Sequence, residues 1–116
     1  MRYVYYSQYR DMIIRAINEQ KILVFDYRDD KGYITRGRIV EPYVLIPKGD
    51  PPHLNLNARQ TGGSSRSRRP PFWNDFHLDA MSNIVCLEDQ KFEVHYTYDE
   101  NAEKYKNAIA KVHRYR

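Results

Sequence analysis

Four arginines and a tryptophan crowd into RQTGGSSRSRRPPFWN, residues 59–74, with no acidic side chain among them. Asp and Glu are in fact absent from Pro51 through Asn74. Arginine presents a planar fork of donors that matches phosphate bidentately, and a neighbouring tryptophan offers a face on which a nucleobase stacks. Arg59, Arg66, Arg68, Arg69 and Trp73 therefore read as contacts to an anionic ligand. The bland reading of the same residues is a solvated loop that arginine keeps soluble. Other chemistries find no constellation. His53, His77, His95 and His113 are too scattered for a zinc site, and Cys86, in the apolar run IVCL, reads as a small core side chain. The glycine pair at 62–63 lacks the Lys-Ser/Thr of a phosphate loop. No Ser-His-Asp set or paired carboxylates stands out. The expectation is a protein that is not an enzyme and carries no cofactor and no metal.

The elements around this stretch decide whether it is a linker between domains. YSQYRDMIIRAINEQ, 6–20, places Tyr9, Met12, Ile13, Ala16 and Ile17 at helical spacing, with Ser7 as its cap. KILVFDYR, 21–28, is β-branched and aromatic, and DDKG turns the chain. YITRGRIVEPYVLIP, 33–47, is a long strand in which Pro42 demands a bend or bulge. HLNLNAR alternates, with Leu54, Leu56 and Ala58 on one face. FWNDFHLD alternates too: Phe72, Phe76 and Leu78 face inward, while Trp73, Asp75, His77 and Asp79 face out. IVCL is a short buried strand and FEVHYTY a further candidate. ENAEKYKNAIAKVHR reads as a closing helix, about 99–114, with Tyr105, Ala108, Ile109 and Val112 inward. Residues 60–71 then connect two strands that share a core, so 1–116 is one domain. No apolar residue between Arg59 and Pro70 pins that connection to the core. The tyrosine-rich ends (Tyr3, Tyr5, Tyr6 and Tyr9; Tyr96, Tyr98, Tyr105 and Tyr115) are expected to pack together or to serve a homodimer.

This order predicts a mainly β fold with flanking helices, a small five-stranded β-barrel over about 21–88 between an N-terminal and a C-terminal helix. The net charge of +4 tilts the partners toward anions. No apolar run nears the roughly 18 residues that span a bilayer. The N-terminus lacks an apolar signal core, so the expected location is cytoplasmic with no membrane partner.

IIRAINEQKILVFDYRDDKGYITRGRIVEPYVLI, LNLNA and DFHLDAMSNIVCLEDQKF together resemble the WYL domain of bacterial regulators, over about residues 12–92. The matching pieces are Phe25 and Tyr27 closing a strand, Arg38 four residues before Pro42, and Phe76, Leu78 and Asp79. The resemblance implies an Sm-like, SH3-type barrel that senses ligands or binds nucleic acid, often beside a DNA-binding partner. It points to Arg38, with Tyr27 and His77 as neighbours, as what remains of the family's anion site. The name-giving Trp-Tyr-Leu falls on Leu54, Asn55 and Leu56, and two family arginines fall at Asn74 and Ala80. The arginine-rich connection is expected to replace them. The implied function is a stand-alone regulatory or accessory protein, with single-stranded nucleic acid or a nucleotide as ligand. An interaction or dimerisation subunit without a ligand, and a small toxin-type ribonuclease using His77, are the alternatives.

Overall fold

The computed structural model describes residues 9–114. Helix α1 spans Arg10–Glu19 and is followed by strands β1 (Lys21–Arg28), β2 (Ile34–Lys48), β3 (His53–Gly62), β4 (Phe72–His77), β5 (Met81–Lys91) and a short β6 (Ala110–Lys111). All pairings are antiparallel, in the order β4-β3-β2-β1-β5, with β6 against β2. The mainly β class is as expected. Closure into a barrel is not seen, because the path ends at β4 and β5 without pairing the two. A single 3-10 turn, Leu78–Ala80, links them. Among the described residues no helix is long and apolar enough to cross a membrane.

The helix forms where its apolar stripe demands. Ile13, Ala16 and Ile17 are fully buried, and Gln20 ends it in the left-handed region (φ 55°). Ser7 and the tyrosines at 3, 5, 6 and 115 lie outside the described residues.

Strand β2 organises the sheet. Its first half pairs with β1 through Leu23↔Val40, but β1 then leaves and exposes the far edge of Val44 and Leu45. The C-terminal segment takes that edge, through Val44↔Lys111 and Leu45↔Ala110. Ile109 N–H donates to Leu45 O at 2.8 Å and Val112 N–H to Tyr43 O at 2.9 Å. This overturns the closing helix over 99–114. The helical spacing is real, but an open sheet edge offered these backbone groups partners, and only a single 3-10 turn (Glu103–Tyr105) survives. Flanking helices reduce to one.

Pro42 sits where expected. Pro42 pairs with Ala58 and Val44 with Asn57, so β2 advances two positions while β3 advances one. Tyr43 at this bulge is fully buried against Trp73, Phe92 and Tyr98, with ring centroids 4.7, 5.1 and 4.8 Å away. Burial pushes its phenol up to about 12, and its oxygen accepts from His95 N–H at 2.9 Å. FEVHYTY is therefore no strand but a cover, folded over the outer face of the sheet with Phe92 and Tyr98 beneath it. Nor is IVCL a separate buried strand. It lies within the eleven-residue β5, with Ile84 buried and Val85 53% exposed.

An exposed charge cluster ties α1 to β5. Glu88 accepts from Arg15 Nη1 at 2.9 Å and from Lys21 Nζ at 3.0 Å. The Arg15 and Lys21 hydrogen bonds hold the Glu88 carboxyl down at about 2. A carboxyl whose folded pKa is depressed contributes stability above its unfolded value and loses it as pH falls through the folded one. Acid titration of unfolding should therefore show a loss between about pH 4.5 and pH 2 that Glu88→Gln flattens, and added salt should shrink the difference. Superimposable acid limbs for the two proteins would show that the cluster contributes nothing.

Candidate anion-binding site

The site begins with a second bulge in β2. Thr35 and Arg38 are three residues apart, which in a regular strand puts them on opposite faces. Between Tyr27↔Thr35 and Phe25↔Arg38, however, β2 advances three positions while β1 advances two. Gly37 takes up the extra residue in the left-handed region (φ 68°), and its N–H donates to Asp26 Oδ1 at 2.9 Å. The bulge turns Arg38 onto the face of Thr35, and Arg38 Nε donates to Thr35 Oγ1 at 2.7 Å.

Arg38 is only 6% exposed. Its Nη1 donates to Oε1 of the fully buried Gln60 at 3.1 Å. Its guanidinium carbon lies 5.3 Å from the Tyr27 ring centroid and 5.5 Å from that of Phe76, within cation–π range. Tyr27, Phe76 and Phe25 pack edge to face at 5.0 to 6.3 Å, fixing the two rings. Both hydrogen-bond partners are neutral, and no carboxylate among the described residues pairs with Arg38. Burial lowers its pKa from the ordinary arginine value, yet arginine keeps its proton in proteins. The result is a buried cation whose Nη2 has no hydrogen-bond partner among the described residues.

The connection between β3 and β4 folds over this cation. It leaves β3 through Gly63 (φ 82°), where a Cβ would meet Gly37 O at 2.0 Å and Arg38 Cα at 2.9 Å. Gln60 Nε2 donates to Gly62 O and Ser64 O, both at 3.0 Å. Arg66 stacks 3.7 Å over the Tyr33 ring and reaches Asp29 at 3.4 Å. Arg68 lies 4.2 Å over the Phe72 ring, and its Nη2 donates to Trp73 O at 3.3 Å. Burial alone would raise the Asp29 carboxyl, but N–H donors of Tyr33 and Lys31 together with Arg66 outweigh it and hold the pKa low. The connection has no apolar anchor, as its composition says, but it has aromatic rings and an amide to rest on.

Between this arm and the sheet lies a cavity of about 260 Å³. Arg38 and Tyr27 line it from the sheet, Arg66 and Arg68 from the arm, and Phe72, Asn74 and His77 from β4, with three carboxylates, Asp29, Asp30 and Asp75, in the same lining. Tyr27 also braces the β4 end, its oxygen accepting from His77 N–H at 3.0 Å. Five of the eight expected contacts thus converge: Tyr27, Arg38, Arg66, Arg68 and His77.

Three do not. Trp73 points away, as its strand parity requires, but it is covered, packing on Tyr43 beneath the C-terminal segment. It lines a separate slot of about 250 Å³ with Tyr98 and Tyr105. Arg59, paired across the ladder with Trp73, is on the same outer face and meets Glu41 at 3.4 Å. Arg69 lies on the outer side of the arm and does not line the Arg38 cavity. Sequence reading missed Thr35, Gln60 and Phe72 as site residues. Gln60 was accessible by extending the Leu54, Leu56, Ala58 alternation one pair further. The Gly37 bulge hides Thr35, and the alternation of β4 assigns Phe72 to the core face.

In comparisons with known proteins, no family model, no curated protein and no solved structure matches this chain.

Gly63→Ala places a methyl against the Gly37–Arg38 backbone and strains a left-handed residue. It should lift the arm and speed tryptic cleavage after Arg66 and Arg68 severalfold, while cleavage in β1 and β5 stays at its former rate. Unchanged cleavage at these two arginines would show that the arm is not held by this contact.

Proposed function

We propose that this chain is a ligand-sensing regulatory or accessory module of the WYL type, binding an anionic ligand, a nucleotide or single-stranded nucleic acid, in the cavity between Arg38 and the arginine arm. The observation that carries this reading is Arg38 itself. Burying a cation costs free energy unless an anion or a full set of hydrogen bonds compensates. Here two neutral oxygens and two ring faces compensate in part, and an open cavity lies beside the remaining donor. A purely structural position of that kind is better filled by an apolar side chain. Arg66 and Arg68 add positive charge at the same opening.

The fold supports this reading at the level of a mainly β, antiparallel sheet whose two end strands are joined by a 3-10 turn. The residues that carry the resemblance, Tyr27, Arg38 and Phe76, meet around the Arg38 guanidinium. Asn74, where the family carries arginine, lines the cavity, and Arg68 reaches the same opening from the arm. The arm thus supplies the charge that β4 lacks.

Titrating single-stranded DNA and RNA and nucleotides at several salt concentrations tests this reading. Arg66→Ala with Arg68→Ala should weaken binding across sequences and flatten the salt dependence by about 0.7 per lost phosphate contact for a single strand. Arg69→Ala should change both less, because Arg69 is outside the cavity. Wild-type affinity and slope in the double variant would refute the assignment.

A further inference from the structure

The shape of the cavity narrows the ligand class further, on the basis of the anion-binding reading above. We propose that the site takes a terminal phosphate monoester, on a mononucleotide or on the end of a strand, and not a phosphodiester within a strand. Arg38, at 6% exposure, is reached only by a group that enters end-on. The Gly63 backbone closes against Gly37 on one side, and the arm, resting on Phe72 through Arg68, closes the other. An internal phosphodiester carries a nucleoside on each bridging oxygen, so the strand would have to enter and leave the same opening. At about 260 Å³ the cavity is below the roughly 300–1,000 Å³ that encloses one drug-sized ligand. It has room for a phosphate and part of one nucleoside.

Charge makes the same selection. A phosphate monoester carries about −1.5 to −2 at neutral pH and three acceptor oxygens. One oxygen meets Arg38 at the floor, and the others meet the guanidinium groups at the opening. Carboxylates share the lining with the arginines. Asp29 is paired with Arg66 and Asp75 with Lys48, while Asp30 has no hydrogen-bond or ion-pair partner among the described residues. The adjoining depression adds Asp79 beside His53 and His77. A phosphate backbone continuing in this direction meets like charge. The hydroxyl and amino groups of a nucleoside meet acceptors instead.

Calorimetric titration separates the possibilities with five probes: AMP, adenosine, and hexathymidylate carrying a 5′-phosphate, a 3′-phosphate, or hydroxyls at both ends. A terminal phosphate should tighten binding at least about tenfold over the matched hydroxyl probe, the effect of one charge-assisted hydrogen bond. Arg38→Gln should abolish that advantage, and Arg68→Ala, on the exposed arm, should reduce it in a variant whose core is untouched. AMP binding as tightly as the phosphorylated strands identifies a free nucleotide as sufficient, and tighter binding of a strand identifies its end. If the hydroxyl-ended strand binds as tightly as the phosphorylated ones and Arg68→Ala weakens all three, the terminal-phosphate inference is overturned and the anion-binding reading stands. If none of the five binds, both fall.

Discussion

A nearly buried guanidinium that faces an open cavity, with no carboxylate in ion-pair contact, is the constraint around which this structure is arranged. Arg38 reaches its position only because Gly37 inserts a bulge, and the bulge has room only because Gly63 passes it without a side chain. Thr35 and Gln60 supply oxygens, and the edge-to-face cluster of Tyr27 and Phe76 supplies electron-rich surface. Each compensation is partial. A cation so placed gains from any anion that can reach it, and the cavity at its side is the route by which one can.

The two faces of the sheet divide the labour. The outer face of β2, β3 and β4 is covered by the C-terminal segment, with Tyr43 at its centre and Trp73, Phe92 and Tyr98 around it. That cover recruits the C-terminal strand to the half of β2 that β1 leaves open, and it takes Trp73 and Arg59 away from the Arg38 cavity. The inner face carries the aliphatic core and, at its end, the aromatic seat of Arg38. Because β4 contributes Phe76 to the core and Phe72 to the arm's support, packing and site geometry are coupled through a six-residue strand.

Much of this was legible in the sequence. Alternation located β3 and β4, Pro42 located a bulge, and the absence of acids located the cationic arm. The arm's destination was legible only through parity, and parity fails at bulges. One register shift brought Thr35 and Arg38 to one face, a relation that strict alternation denies. The C-terminal segment departs from its sequence pattern for a different reason. Its helical periodicity competes with an unpaired edge of β2 that is visible only once the sheet exists. Trp73 was correctly placed outward, but its neighbours Tyr43 and Tyr98 come from distant parts of the chain.

The central claim is that Arg38 is a buried cation awaiting an anion. Thermal unfolding in phosphate, compared with chloride at matched ionic strength, tests it most directly in wild type and in Arg38→Met. Phosphate stabilises proteins generally by exclusion from their surfaces, so the difference between the two proteins is the quantity that matters. A site occupied in the folded state adds a concentration-dependent rise in Tm. The account predicts a larger phosphate-dependent rise in wild type than in Arg38→Met, growing with phosphate concentration. Equal rises in both proteins would contradict it, and Arg38 would then be a structural residue of the core.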